Sequence, residues 1–552
     1  MFLSRPAGGI RVGESRDRML KRTCTKALIA VLAVAFLTSC GSSKTKVTLP
    51  TGTLTTLVGD LPGPCDVVSF PFNVTELALT GSTSGQATVV SVPLNSSSVA
   101  APEIRINLGC LRDFTTPLSM STATVGIYNL ADIYLTEPQM TFYDPTILPP
   151  SLPIDIAELT FQPLKLYQLP IDPPLVINKS SASVLQIDFD LLHMIQSITT
   201  DPTNLKVMVT ATPEITFTPL TAVGSQGQGF GELDDLVGFV RSVTIPPPVN
   251  LGQYDGSFNL QLLSASISSA PVATINLSSS TQLYGFSNLN QLYTDSFCEV
   301  DAYIDDDGNF VANTVENEYT ECIPPSSPSA SPPPPGCTEY PTLAIIGPVT
   351  SLTRDTSGNV TTFNIWARDV EPNDPSFVEL DSIPQVNLSS STTYQYSSRN
   401  VNFANLPFGP ANINVGQEVI VHGLVTPPRG TSGSGAPPLP TIVTAYKVYD
   451  KLQSIQGSFA ALVQVAGDNK TGAFTFSPCP VMFQQTPTMV LTNNQTTFVN
   501  LNGLSSLTGG SSGSPTLLVK GLPFFEQQAQ TIYGVPVSAG TLVILAKQVH
   551  AL

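Results

Sequence analysis

The residues Asp305-Asp306-Asp307-Gly308-Asn309 form a dense run of acidic and turn-forming side chains. With Asp301 before them and Glu316 and Glu318 after them, they could gather oxygens around Ca²⁺, a hard cation that takes six to eight such ligands. The spacing departs from an EF-type loop. Gly308 at the sixth position puts Tyr303 at the first and Thr314 at the twelfth, where carboxylates are required. An Asp-Gly hairpin turn uses the same residues without a metal, because Gly supplies the positive φ. The turn is the stronger reading, with Asp305 and Asp307 as the weak calcium ligands of the alternative. A second cluster, Gly509-Gly510-Ser511-Ser512-Gly513, has the letters of a hydrolase nucleophile elbow. An elbow needs a strand before it and a helix after it. Leu507-Thr508 and Ser514-Pro515 give a low-complexity loop instead. His193, His422 and His550 lie far apart in sequence, none beside a paired acid and nucleophile. Trp366, Tyr394 and Tyr396 could stack a sugar ring, although strand alternation buries either Trp366 or its neighbour Ile365. No catalytic residue, cofactor or resident metal is expected.

The thiol of Cys40 offers chemistry of a different kind. Ala27 to Ser39 is an uncharged run of 13 residues behind Lys21, Arg22 and Lys26. A basic n-region, a short apolar h-region and a small-residue cut site make a signal peptide. The run falls short of the roughly 20 apolar residues of a spanning helix. Met19 is a plausible true start, since it opens a signal peptide of ordinary length. Leu37-Thr38-Ser39-Cys40, followed by Gly41-Ser42-Ser43, resembles the lipobox of bacterial lipoproteins. That resemblance implies cleavage before Cys40, a diacylglyceryl group on its sulfur and acylation of the new amino terminus. Two or three chains anchor stably where one does not. Gly41 in place of Asp implies the outer membrane, on its periplasmic or surface-exposed face, if the cell has one.

Removing residues 1–39 takes away seven of 24 basic and two of 41 acidic residues, leaving 17 and 39 and a net charge near −22. Such a chain repels phosphate backbones, which argues against nucleic acid as a partner. Charged residues make up 12% of the chain and Pro numbers 49, with abundant Ser, Thr and Val, the composition of an all-β exported protein. Cys65, Cys110, Cys298, Cys322, Cys337 and Cys479 remain after Cys24 is lost with the signal and Cys40 takes lipid. An even count in an oxidising compartment implies three disulfides with 15 connectivities. Pairing 65–110, 298–322 and 337–479 keeps most links short.

Alternating β-prone runs fill residues 66–225, broken by Pro-Pro turns, as in a β-sandwich. Ile187 to Ile195 leaves a strand for a helical turn. The second half repeats itself. Asn276-Leu-Ser-Ser-Ser-Thr281 recurs letter for letter as Asn387 to Thr392, and more weakly as Leu491-Thr-Asn-Asn-Gln-Thr496. Upstream lie Gly238, Gly347 and Gly457, spaced 109 and 110 residues apart. Each copy closes on a hairpin whose last strand reads Ala-x-x-Val, at Ala312, Ala445 and Ala546. Five or six short strands per copy suit a small closed barrel, which leaves no free edge. The first-strand glycine would allow the strand to bend across both sides of the barrel.

The repeated pattern resembles the domain-of-unknown-function family 5666, over roughly 234–552 as three copies of which the third departs most. Asp188-Phe189-Asp190-Leu191, followed by Leu205 to Phe217, is similar to the end of domain-of-unknown-function family 4382. Neither resemblance implies an activity.

The expected architecture is all-β. Its parts are a signal peptide (1–39), a lipidated tether (40–54), an Ig-like β-sandwich (55–230), an OB-like barrel (234–322), a Pro-rich linker (323–336), and two further barrels (337–450 and 451–552). The expected function is non-catalytic, a binding or structural role in the bacterial cell envelope. Its partners would be the membrane, through lipid on Cys40, and a glycan or envelope protein. The rivals are a hydrolase of envelope polysaccharide or ester substrates and a subunit of an envelope complex.

Overall fold

A computed structural model of the protein describes residues 50–552 apart from 61–66, 84–85, 92–103, 111–114, 144–153, 162–164, 180–182, 201–206, 221–231, 246–253, 263–271, 293, 295, 306–308, 320–341, 372–377, 397–405, 427–440, 480–482, 484–486 and 509–514. The signal peptide, Cys40, the tether up to residue 49 and the Pro-rich linker lie outside the described residues. The chain is all-β, and among the described residues no helix is long and apolar enough to cross a membrane.

The N-terminal domain is built from two sheets. A nine-stranded sheet holds Thr51–Asp60 between Ser183–Phe189, which runs parallel to it, and Thr115–Thr124, which runs antiparallel. A five-stranded sheet includes Ile195–Thr200, Val207–Ala211 and Ile154–Phe161. Phe70, Phe72, Ile133, Leu135, Phe189 and Met194 share the core. The helical turn expected after the strand is Leu191–Met194, capped by the Asp190 carboxylate, which accepts from the His193 backbone N–H.

Three closed barrels follow. The strands of the first are Glu232–Thr244, Gly256–Leu262, Val272–Tyr284, Phe297–Ile304 and Phe310–Tyr319. Pairing runs one-two-three-five-four and back to one, with only the third and fifth strands parallel. This is the OB-like circuit. The second barrel repeats it with Thr342–Arg354, Val360–Ile365, Gln385–Asn387, Glu418–Thr426 and Ile442–Asp450. The third does so with Gln453–Val465, Gly472–Pro478, Thr488–Thr492, Thr516–Glu526 and Thr541–Ala551.

The repeated letters have a structural cause. Thr281 donates its hydroxyl to the Ala312 carbonyl at 2.7 Å and accepts from the Ser278 N–H at 2.9 Å. Thr392 does the same with Ala445 and Ser389, and Thr496 with Ala546 and Asn493, each bond 2.9 Å long. The turn interrupts the third strand, which then resumes its parallel pairing at Gln282, Thr393 and Thr497. The facing fourth and fifth strands slip register just after each alanine, so residues 313, 446 and 547 have no partner in the ladder. The slip is a β-bulge, and it explains the Ala-x-x-Val signature, whose Ala and Val both face the barrel interior.

The barrels are not strung apart. Val237, Phe239 and Phe297 on the outside of the first pack against Ala344, Ile346, Ile420 and Tyr449 on the outside of the second. Leu57 and Val184 of the sandwich share the core of the first barrel. Arg105 bonds Asp381 at 3.3 Å, tying the sandwich to the second barrel. Tyr396 and Phe408 lie on the apolar face of the third barrel that holds Phe524, and the Asn412 amide donates to the Phe525 carbonyl at 3.0 Å. The outer faces of the barrels thus pack directly on one another.

An ideal Cβ on Gly347 would lie 1.7 Å from the Trp366 carbonyl oxygen, whereas one on Gly467 meets nothing within 4 Å. Gly347→Ala should therefore lower stability by about 1–3 kcal/mol or more in urea unfolding. Gly467→Ala should stay within about 0.5 kcal/mol of the parent.

Candidate functional site

Asp305 and Asn309, the described ends of the acidic run, lie between the fourth and fifth strands of the first barrel, with the Asp305 N–H donating to the Asn309 carbonyl at 3.0 Å. The Asp305 carboxylate accepts from the Asn309 N–H at 2.8 Å and from the Tyr254 hydroxyl. Asp306, Asp307 and Gly308 lie outside the described residues. Asp301 accepts from Thr314 at 3.1 Å, and Glu316 accepts from Gln395 of the second barrel at 3.0 Å. Among the described residues, no three His, Cys, Asp or Glu side chains converge as a metal site. Gly509 to Gly513 lie outside the described residues.

The histidines occupy three different domains. His193 is exposed in the sandwich, its Nδ1 2.5 Å from the Asp190 carboxylate, whose hydrogen bond and charge raise the imidazole pKa. His550 meets the Asn500 amide at 3.1 Å in the third barrel. His422 is buried in the wall between the first two barrels, edge-on to Phe297 at 4.7 Å and to Tyr449 at 5.5 Å. Burial lowers its pKa to about 3, and the Lys447 cation acts in the same direction.

The aromatic platform does not form. Trp366 and Ile365 are both buried, because the outer face of the second strand is covered as well as its inner face. Tyr394 packs on the core of the second barrel, and Tyr396 tilts against Phe408 at 5.3 Å. Beside Tyr396 in the register lies Asp450, fully buried, with one carboxylate oxygen near the Gln417 amide at 3.4 Å and the other without a hydrogen bond. Burial raises the pKa of this carboxyl well above its usual range.

Cys298 carries a thiol, not a disulfide sulfur, and it points into the first barrel with Val300 and Ala302. The expected 298–322 bridge is thereby corrected: a buried cysteine there behaves as a small apolar wall residue. Cys479 is disulfide-bonded, to a partner whose side chain lies outside the described ones. Cys65, Cys322, Cys337 and the Cys110 side chain also lie outside them.

A cleft that none of the motifs indicated opens on the third barrel, with a volume of about 830 Å³. Gly457, Phe476, Pro478 and Thr488 form its buried floor. Gln456, Ser458 and Cys479 are half-buried in its walls, and Ser477, Pro487 and Thr516 stand exposed at its rim. Its described walls carry no charged side chain, and the Gln456 Oε1 is buried without a hydrogen-bond partner. These residues come from four strands, which is why no local motif revealed them. One signal was present: polar Gln456 and Ser458 flank Gly457, where Val237 and Phe239 flank Gly238.

His422 makes an acid-sensitive contribution to stability. Its folded pKa lies below the unfolded value of 6.5, so the unfolded chain binds the proton more readily. The stability it contributes is present above pH 6.5 and is lost as pH falls toward about 3. The raised Asp450 acts in the opposite sense, so the comparison of parent with His422→Phe isolates the histidine. The parent should lose on the order of a few kcal/mol more than the variant across that window, read by urea unfolding at successive pH values. Equal slopes would show that His422 is not buried neutral.

Comparison of the chain with protein-family models, with curated proteins and with solved structures finds no match to any of them.

Proposed function

We propose that this protein is a bacterial lipoprotein, exported, cut before Cys40 and held in the cell envelope by lipid on that residue. Its place is the outer membrane where the cell has one. The β body behind the anchor serves a non-catalytic role, binding an envelope glycan or protein. The cleft on the third barrel carries this reading: it is large enough for a ligand, lined by amide, hydroxyl and apolar groups, and without an acid, base or nucleophile–base pair in its described walls. The separation of His193, His422 and His550 into three domains supports it. The signal-peptide pattern and the lipobox-like Leu37 to Cys40 support the anchor.

A second reading, a subunit of an envelope complex, draws on Ile127 and Val176. These two are paired across adjacent strands of the sandwich, and both are about half exposed. A paired apolar patch of this kind suits a protein contact.

Mass spectrometry of the mature N-terminal peptide should find diacylglycerol on the Cys40 sulfur, and Cys40→Ala should leave the protein unmodified and released from membranes. The lipid-free mature chain should retain an envelope polysaccharide or protein in pull-down. Turnover on a glycan or ester panel, abolished by a single acidic or serine substitution, would overturn the non-catalytic reading.

A further inference from the structure

We propose that the third-barrel cleft binds a neutral, hydroxyl-rich ligand, one or two sugar rings in size. The proposal deepens the binding reading above and rests on it.

The three barrels share one register, so their outer surfaces can be compared position by position. Gly238, Gly347 and Gly457 pair with Cys298, Val419 and Leu517 of the respective fourth strands. Around Gly238 the outward residues are Val237, Phe239 and Phe297, and all three are buried against the second barrel. The same three positions of the third barrel are Gln456, Ser458 and Thr516, and all three line the cleft. A surface used for dry barrel-to-barrel packing in one copy is an amide and two hydroxyls in another. An apolar protein face docking there would strand those polar groups.

The chemistry of the walls narrows the ligand. A charged group entering the cleft would shed water and find no counter-charge among the described walls, which is unfavourable. A ring bearing hydroxyls on its edges and C–H groups on its faces satisfies both kinds of surface. Its hydroxyls can exchange bonds with the Gln456 amide and with Ser458, Ser477 and Thr516, which line the cleft. Its C–H face can rest on Pro478 and Pro487. The volume lies within the range of small-ligand sites. Gly457 in the floor is pressed against the Ser477 carbonyl, 2.3 Å from where a Cβ would stand. A floor held in this way loses little freedom on binding.

Saturation-transfer NMR on the mature, lipid-free chain tests the proposal with cellobiose, maltose and di-N-acetylchitobiose as neutral probes and glucosamine and glucuronic acid as charged ones. At least one neutral probe should show saturable transfer and the charged ones none. Ser458→Trp, which fills the cleft, should abolish it, and Gln456→Ala should weaken binding tenfold or more. Asn290→Trp, exposed on the first barrel, should leave it unchanged. Thr516→Tyr at the exposed rim provides a second block should Ser458→Trp fail to fold. Transfer that persists in the blocked variants would overturn the cleft assignment while leaving the binding reading in place. Absence of transfer from every neutral probe would overturn the ligand class. Retention of a protein partner in pull-down would then still support the broader reading.

Discussion

In each barrel the first strand crosses the second so closely that a carbonyl oxygen of the second strand, or of the residue just after it, occupies the place where a side chain would begin. The distances from an ideal Cβ are 2.2 Å at Gly238, 1.7 Å at Gly347 and 2.3 Å at Gly457. That close approach lets one strand pair with the second strand on one side and the fourth on the other, which closes the barrel and removes its edges. Closure then leaves the outer faces available for other contacts. The first two barrels spend theirs on each other, and the third keeps a cleft at the corresponding place.

What could be read from the sequence was local. The Thr281, Thr392 and Thr496 turns recur because a hydroxyl must reach a carbonyl two strands along in the order of the chain, and few other side chains can accept an N–H and donate at once. The alanines recur for a different reason, since any residue supplies a carbonyl: their small side chains turn into the barrel interior beside the bulge. The Asp305 carboxylate bonds to the nearby Asn309 backbone, as short acidic side chains commonly do. What escaped was contact between faces. Phe297-Cys298-Glu299-Val300-Asp301-Ala302 alternates as if one side met water, yet both sides are buried, one in the barrel and the other beneath neighbouring structure. Alternation reports which residues share a face and says nothing about what a distant segment lays over it. Alternation buries one of Ile365 and Trp366, and for the same reason the other is covered as well.

The ionisable residues show how packing redirects groups whose types suit acid–base chemistry. His422 would be a general base near its ordinary pKa; enclosed by Phe297 and Tyr449 it is held neutral well below that range. Asp450 is pushed the other way by the same exclusion of water. Both lie where the second barrel meets a neighbour, His422 toward the first and Asp450 near the Gln417 amide that donates to the Pro523 carbonyl of the third. Buried polar groups at such contacts restrict how the faces can fit, because a shifted packing would leave them without their neighbours.

Divergence among copies of one fold therefore says more here than the fold does. Three barrels with the same circuit, the same bulge and the same hydroxyl turn must satisfy the same internal constraints, so differences at equivalent outward positions are released from folding. In the first barrel those positions are apolar and covered. In the third, Gln456, Ser458 and Thr516 occupy them and remain partly open to water. An open polar wall beside a glycine that fixes the strand geometry is a poor surface for packing and a good one for a small ligand that brings its own hydroxyls. The residue that closes each barrel thus also sets where the outer surface can be reused.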